Sequence, residues 1–122
     1  MNALRLLLVE DHADTAKAMA RLLKVSGHVV TVADTAQAAL QHASSNEFDL
    51  VISDIGLPDA TGYELMTQLR DTHGLKGIAL TGYGTDEDLQ KAKDSGFIDH
   101  VLKPINLATL NAAIEKARQG PG

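Results

Sequence analysis

Three carboxylates, a hydroxyl and a lysine follow short apolar runs in this chain. Glu10 and Asp11 follow Arg5–Val9 (RLLLV), Asp54 follows Leu50–Ser53, Thr81 follows Gly77–Leu80 and Lys103 follows Asp99–Leu102. Three carboxylates within a few ångströms repel one another. Two unit charges 4 Å apart cost about 4 kcal/mol at an effective dielectric near 20, enough to leave one acid protonated. A divalent cation removes that conflict. An all-oxygen set with few protein ligands and room for water suits Mg²⁺ or Mn²⁺ and not Zn²⁺. Such a site can hold a phosphoryl oxygen and offset charge during in-line transfer. Lys103 supplies a second positive charge, Thr81 a short donor, and Gly82 a backbone N–H free to approach closely. Taken singly, each residue also has an ordinary structural use: Asp54 as a cap, Lys103 snorkelling, Thr81 bonding the backbone. Their joint placement favours the chemical reading.

The elements that must position these groups alternate in type. Arg5–Val9 is apolar almost throughout, as a buried parallel strand is. Asp14 is read as an N-cap, with Ala18, Met19, Leu22 and Leu23 at helical spacing and Gly27 as the stop. Val29–Val32 is a second strand, and Ala36, Ala39, Leu40 and Ala43 stripe a second helix. Leu50–Ser53 is the third strand. Thr61 to Glu64 reads as a capping box opening a helix striped by Leu65, Met66 and Leu69. Gly77–Leu80 is the fourth strand. Thr85 to Asp88 is a weaker box for a fourth helix with only Leu89 and Ala92 as its stripe. Asp99–Leu102 is the fifth strand. Asn106 caps a last helix striped by Leu107, Leu110, Ala113, Ile114 and Ala117. Five strand–helix units without a hairpin signal imply an α/β fold, a doubly wound five-stranded parallel sheet covered on both faces. Such sheets carry their sites beyond the carboxyl ends of the strands.

The bulk numbers narrow the function classes. The chain has 122 residues, 44% hydrophobic but only 3% aromatic, so aliphatic side chains must build one core. It has no cysteine, which excludes disulfides and thiolate metal sites. Its formal charge is -5 with the basic residues scattered, which argues against direct nucleic-acid binding. No apolar run approaches the roughly 18 residues of a membrane span, so no membrane contact by this domain is expected. Met1–Arg5 leads almost directly into a strand and leaves no room for a signal peptide. One domain is expected over residues 1–119, with residues 120–122 a flexible tail.

Glu10-Asp11, Asp54, Leu57-Pro58 with Gly62, Thr81-Gly82 and Lys103-Pro104 together resemble the receiver domain of response regulators in two-component signalling, from Leu4 to about Ala117. The spacing is 43 residues from Asp11 to Asp54, 27 on to Thr81 and 22 on to Lys103. The resemblance implies a (βα)5, flavodoxin-like sheet of strand order 2-1-3-4-5. It implies that Asp54 takes a phosphoryl group from a phosphohistidine on a histidine kinase or histidine phosphotransfer domain. It implies an Mg²⁺ site made by Glu10, Asp11, Asp54 and the backbone carbonyl of Gly56, with Glu10 acting partly through water. Thr81, Gly82 and Lys103 would contact the phosphoryl group, and the Lys103–Pro104 bond would be cis. A cytoplasmic switch follows, whose fourth helix, fifth strand and fifth helix present the altered surface to a downstream protein.

Two positions depart from the commonest pattern. His100 stands where an aromatic switch residue often lies three positions before the lysine. Tyr83 sits between two glycines and is placed to cover the site; the run Thr81-Gly82-Tyr83-Gly84 resembles receivers attached to hybrid histidine kinases. His12 adjoins the acidic pair and is a candidate to line the site, while His28, His42 and His73 form no ligand set. Two other functions compete. An FMN-binding electron carrier could use the same sheet, but Glu10-Asp-His-Ala-Asp14 would repel the phosphate that such a turn must cradle. A receiver-like module that binds partners without phosphorylation would not need the intact acidic, hydroxyl and lysine set.

Overall fold

The structure, a computed structural model, describes residues 3–82 and 84–119. Tyr83 and the expected tail at 120–122 lie outside the described residues. In chain order the elements are β1 (Arg5–Val9), α1 (Ala13–Val25), β2 (Val29–Ala33), α2 (Ala36–Ser45), β3 (Leu50–Asp54), α3 (Gly62–His73), β4 (Gly77–Thr81), α4 (Asp86–Ser95), β5 (Phe97–Leu102) and α5 (Leu107–Gln119). All pairings are parallel and the order is β2-β1-β3-β4-β5. The doubly wound α/β reading and its strand order are therefore found as expected.

Alternation along the central strands feeds two cores. Leu6, Leu8, Ile52, Ile78 and Leu80 face α1 and α5, where Met19, Leu23, Leu110 and Ile114 meet them. Leu7, Val9, Val51 and Ala79 face the other side, against Ala39, Leu65, Met66, Leu69 and Ala92. Burial on both faces is why β3 and β4 carry no exposed residue. The α3 capping box forms as read: the Thr61 hydroxyl accepts the Glu64 N–H and the Glu64 carboxylate accepts the Thr61 N–H.

Three readings in α1 and β5 need correction. The N-cap of α1 is His12, without a side-chain cap bond, and Asp14 lies in the first turn, where its charge complements the helix dipole. The α1 stripe is rotated: Ala16, Met19, Ala20 and Leu23 are buried, while Ala18 is exposed and Leu22 is 42% exposed. Alanines on two adjacent faces left the stripe ambiguous. The small ones lie against the sheet, and Leu22 lines a groove towards Leu107 and Leu110 of α5. Finally, β5 starts at Phe97, two residues early: Phe97 pairs with Gly77, and a register shift separates that pair from Asp99 and Ile78.

Candidate functional site

Strands β3 and β4 each run one residue further than read, so Asp54 and Thr81 are their last residues. Their side chains are thereby fixed by sheet geometry. The Asp54 backbone carbonyl accepts the buried Ser53 hydroxyl at 2.9 Å. The turn after Asp54 folds back tightly: Ile55 O accepts the Gly62 N–H at 2.6 Å, and Gly56 bridges Thr61. A Cβ on Gly62 would collide with the Asp54 carbonyl oxygen, so only glycine fits there. Asp59 ties this turn to α2 by accepting the Ala36 and Gln37 N–H groups at 2.8 and 3.0 Å. The first of those bonds is the main reason its carboxyl lies below the usual range. Sequence reasoning missed Asp59; an acid beside Pro58 was its only signal.

Glu10, Asp54 and Thr81 are buried, at 1%, 5% and 7% exposure, and Asp11 is more open at the rim. Lys103 reaches over from the loop after β5. Its N–H donates to Thr81 O at 2.8 Å, and the Lys103–Pro104 peptide is cis. Lys103 Nζ lies 2.8 Å from Asp54 Oδ1 and 3.7 Å from Glu10 Oε1. Burial by itself disfavours the ammonium. The hydrogen bond to Asp54 and the charges of Asp54, Glu10 and Asp11 together outweigh burial and raise the Lys103 pKa.

The Glu10 carboxyl is pushed up, first by burial and also by the Asp54 charge, against the lowering effect of the His12 N–H bond to Oε2 and the Lys103 charge. Glu10 Oε1 is buried without a hydrogen-bond partner, the ammonium at 3.7 Å being too distant. A buried orphan acceptor beside a second carboxylate is an arrangement a cation would complete. The donor set agrees: one ligand atom from each of Glu10, Asp11, His12 and Asp54 lies within 4.8 Å of the others. His12, a candidate in the sequence, thus joins the acids.

Of the remaining candidates, Gly82 is exposed beside Thr81. His100 is half-buried on β5, in a groove shared with Leu89 and Ala92 of α4. Its own N–H donates to Asp99 Oδ1 at 2.8 Å.

A family profile for the response regulator receiver domain matches residues 6–115. The transcriptional regulatory protein CusR of Escherichia coli K12 is 34% identical over 112 residues, covering 91% of this chain and 49% of CusR. The chain thus spans about half of that relative. A 14.6 kDa protein of Leptolyngbya boryana is 36% identical over 104 residues, covering 83% of this chain and 79% of its own length. A CheY-like receiver domain protein of Methanospirillum hungatei JF-1 superposes with a TM-score of 0.89 at 30% identity, over 97% of this chain and 96% of that one. The chemotaxis response regulator CheY4 of Vibrio cholerae gives 0.88 at 26% identity, over 95% and 99%.

Proposed function

The chain belongs to the response regulator receiver family, and from that premise we propose that Asp54 accepts a phosphoryl group from a phosphohistidine and that this alters the α4-β5-α5 surface. The observation that carries the reading is the Lys103 ammonium 2.8 Å from Asp54 Oδ1, beside an unpartnered oxygen of Glu10. An Asp54 oxygen attacks phosphorus, a P–O bond forms, the P–N bond to the donor imidazole breaks, and the imidazole leaves with the electron pair. Lys103 then shifts from the carboxylate to a phosphoryl oxygen. Thr81 and the Gly82 N–H hold another oxygen. Glu10, Asp11, Asp54 and the Gly56 carbonyl would hold the Mg²⁺, or Mn²⁺, that supplies charge neutralisation when bound. Few protein ligands imply modest affinity.

The donor is a histidine kinase or histidine phosphotransfer domain, the output a downstream protein, and the compartment the cytoplasm. Among the described residues no helix is long and apolar enough to cross a membrane. The convergence of Glu10, Asp54 and Lys103 favours a phosphorylated switch over a phosphorylation-independent module. Acetyl phosphate with Mg²⁺ should add one phosphoryl group, about 80 Da by composition, mapped to Asp54 by mass spectrometry. Asp54→Asn should abolish it, as should excess EDTA. Labelling that persists in Asp54→Asn, or full labelling in EDTA, would contradict the assignment.

A further inference from the structure

Resting on the cation site just proposed, we propose that His12 is a further ligand of that site and tilts it towards divalent transition ions, Ni²⁺ among them. The observations concern His12 itself. Its side chain is 73% exposed, so packing does little to fix the ring. Yet Nδ1 lies 3.2 Å from Glu10 Oε2 and 3.5 Å from Asp11 Oδ1. One imidazole N–H cannot point well at both oxygens, and the His12 backbone N–H already donates to Glu10 Oε2 at 3.1 Å. A shared cation accounts for the grouping. Two ligands about 2.1 Å from a metal lie roughly 3.0 Å apart when at right angles and roughly 3.4 Å apart in a tetrahedron. The spacing of Nδ1 from the two carboxylate oxygens falls around those values. The buried Glu10 Oε1 is an independent sign: it accepts no hydrogen bond, its nearest cation being the Lys103 ammonium at 3.7 Å, and so keeps a lone pair for a metal.

The chemistry sets the preference. Carboxylate, carbonyl and water favour Mg²⁺ and Mn²⁺, whereas imidazole favours Ni²⁺, Cu²⁺ and Zn²⁺. An aliphatic residue at this position would leave an all-oxygen site. With His12 the chain offers one nitrogen beside three carboxylates, on a backbone already fixed by α1.

The test compares Ni²⁺ and Mg²⁺ binding to the chelator-stripped chain by calorimetry, in wild type and in His12→Asn. Asparagine is a favoured N-cap, so the variant should keep α1 and the fold. His12→Asn should weaken Ni²⁺ at this site by about tenfold or more, and Mg²⁺ by much less. Substoichiometric Ni²⁺ should broaden the His12 imidazole resonances before those of His28, His42, His73 and His100. Equal loss for both metals would overturn the proposal, because His12 would then act only through its bonds to Glu10. Unchanged Ni²⁺ affinity, with another histidine broadened first, would overturn it too. Mg²⁺ binding that Asp11→Asn does not weaken would instead remove the cation site, and this inference with it.

Discussion

At the residue scale the site is an electrostatic compromise held by one lysine. Glu10 and Asp54 are both buried, and Lys103 is the cation beside them. Its ammonium contributes little to the hydrophobic core, since the side chain is a third exposed. Lys103→Ala should therefore retain the circular dichroism of the wild type. It should lower the rate of Asp54 phosphorylation by on the order of 100-fold, the size expected when one donor to developing charge is removed. Cation binding should survive, because the carboxylates remain. A variant that unfolds would assign Lys103 to structure. These residues were legible in the sequence because each follows an apolar run, and in a parallel sheet every run ends at the same edge. What the sequence did not show was the pairing: nothing in it says that Lys103 reaches Asp54 or that a Glu10 oxygen goes without a partner.

At the element scale, the same contrast separates what is local from what is tertiary. The capping box at Thr61 and Glu64 and the stripe of Leu65, Met66 and Leu69 were readable because all their partners lie within one or two helical turns. The stripe of α1 was misread because the choice between Ala18 and Ala20 depends on how the helix sits on the sheet. The start of β5 was missed because a register shift with β4 separates Phe97 from the regular pairing that begins at Asp99. Gly62 shows how an element positions the proposed phosphoacceptor, Asp54. The first residue of α3 lies so close to Asp54 that a Cβ would meet the Asp54 carbonyl, and its N–H donates to Ile55 O, closing the turn between them. Gly62→Ala should destabilise the fold by about 1–3 kcal/mol, the usual cost of overpacking, read from urea unfolding. It should also slow phosphorylation by displacing Asp54. Wild-type stability with wild-type phosphorylation would mean that the turn yields freely.

At the scale of the whole molecule, the two ends of the sheet do different work. The amino-terminal edge is structural. There His28 is nearly buried and its Nδ1 accepts the Leu4 N–H at 3.2 Å. Its pKa is lowered by burial first and by Arg118 second, with Glu115 opposing. The folded state thus prefers neutral His28. That contribution is fully present above the unfolded value near 6.5 and is lost as pH falls through the lower folded value. Urea midpoints of wild type should fall between pH 7.5 and pH 5, and His28→Gln should flatten that slope; parallel slopes would exclude His28 as the source. On the proposed reading the carboxyl edge is where the molecule switches, and α4 is the element best suited to move. Only Ala92 and Ser95 of α4 are buried, and its first turn carries Asp86, Glu87 and Asp88. An element with so few buried contacts costs little to rearrange. Next to it, β5 exposes Ile98 and Leu102, with His100 half-buried between them. Lys103 N–H to Thr81 O joins the end of β4 to the loop after β5. A phosphoryl group that draws in Thr81 and Lys103 therefore pulls on both strands flanking α4. It need only bias two arrangements already accessible. With Mg²⁺ and the phosphoryl mimic beryllofluoride, amide shifts should extend from Asp54 through Gly84 into α4 and β5, and the His100 imidazole should change environment. Shifts confined to the Asp54 pocket would mean that the α4-β5-α5 face does not carry the signal.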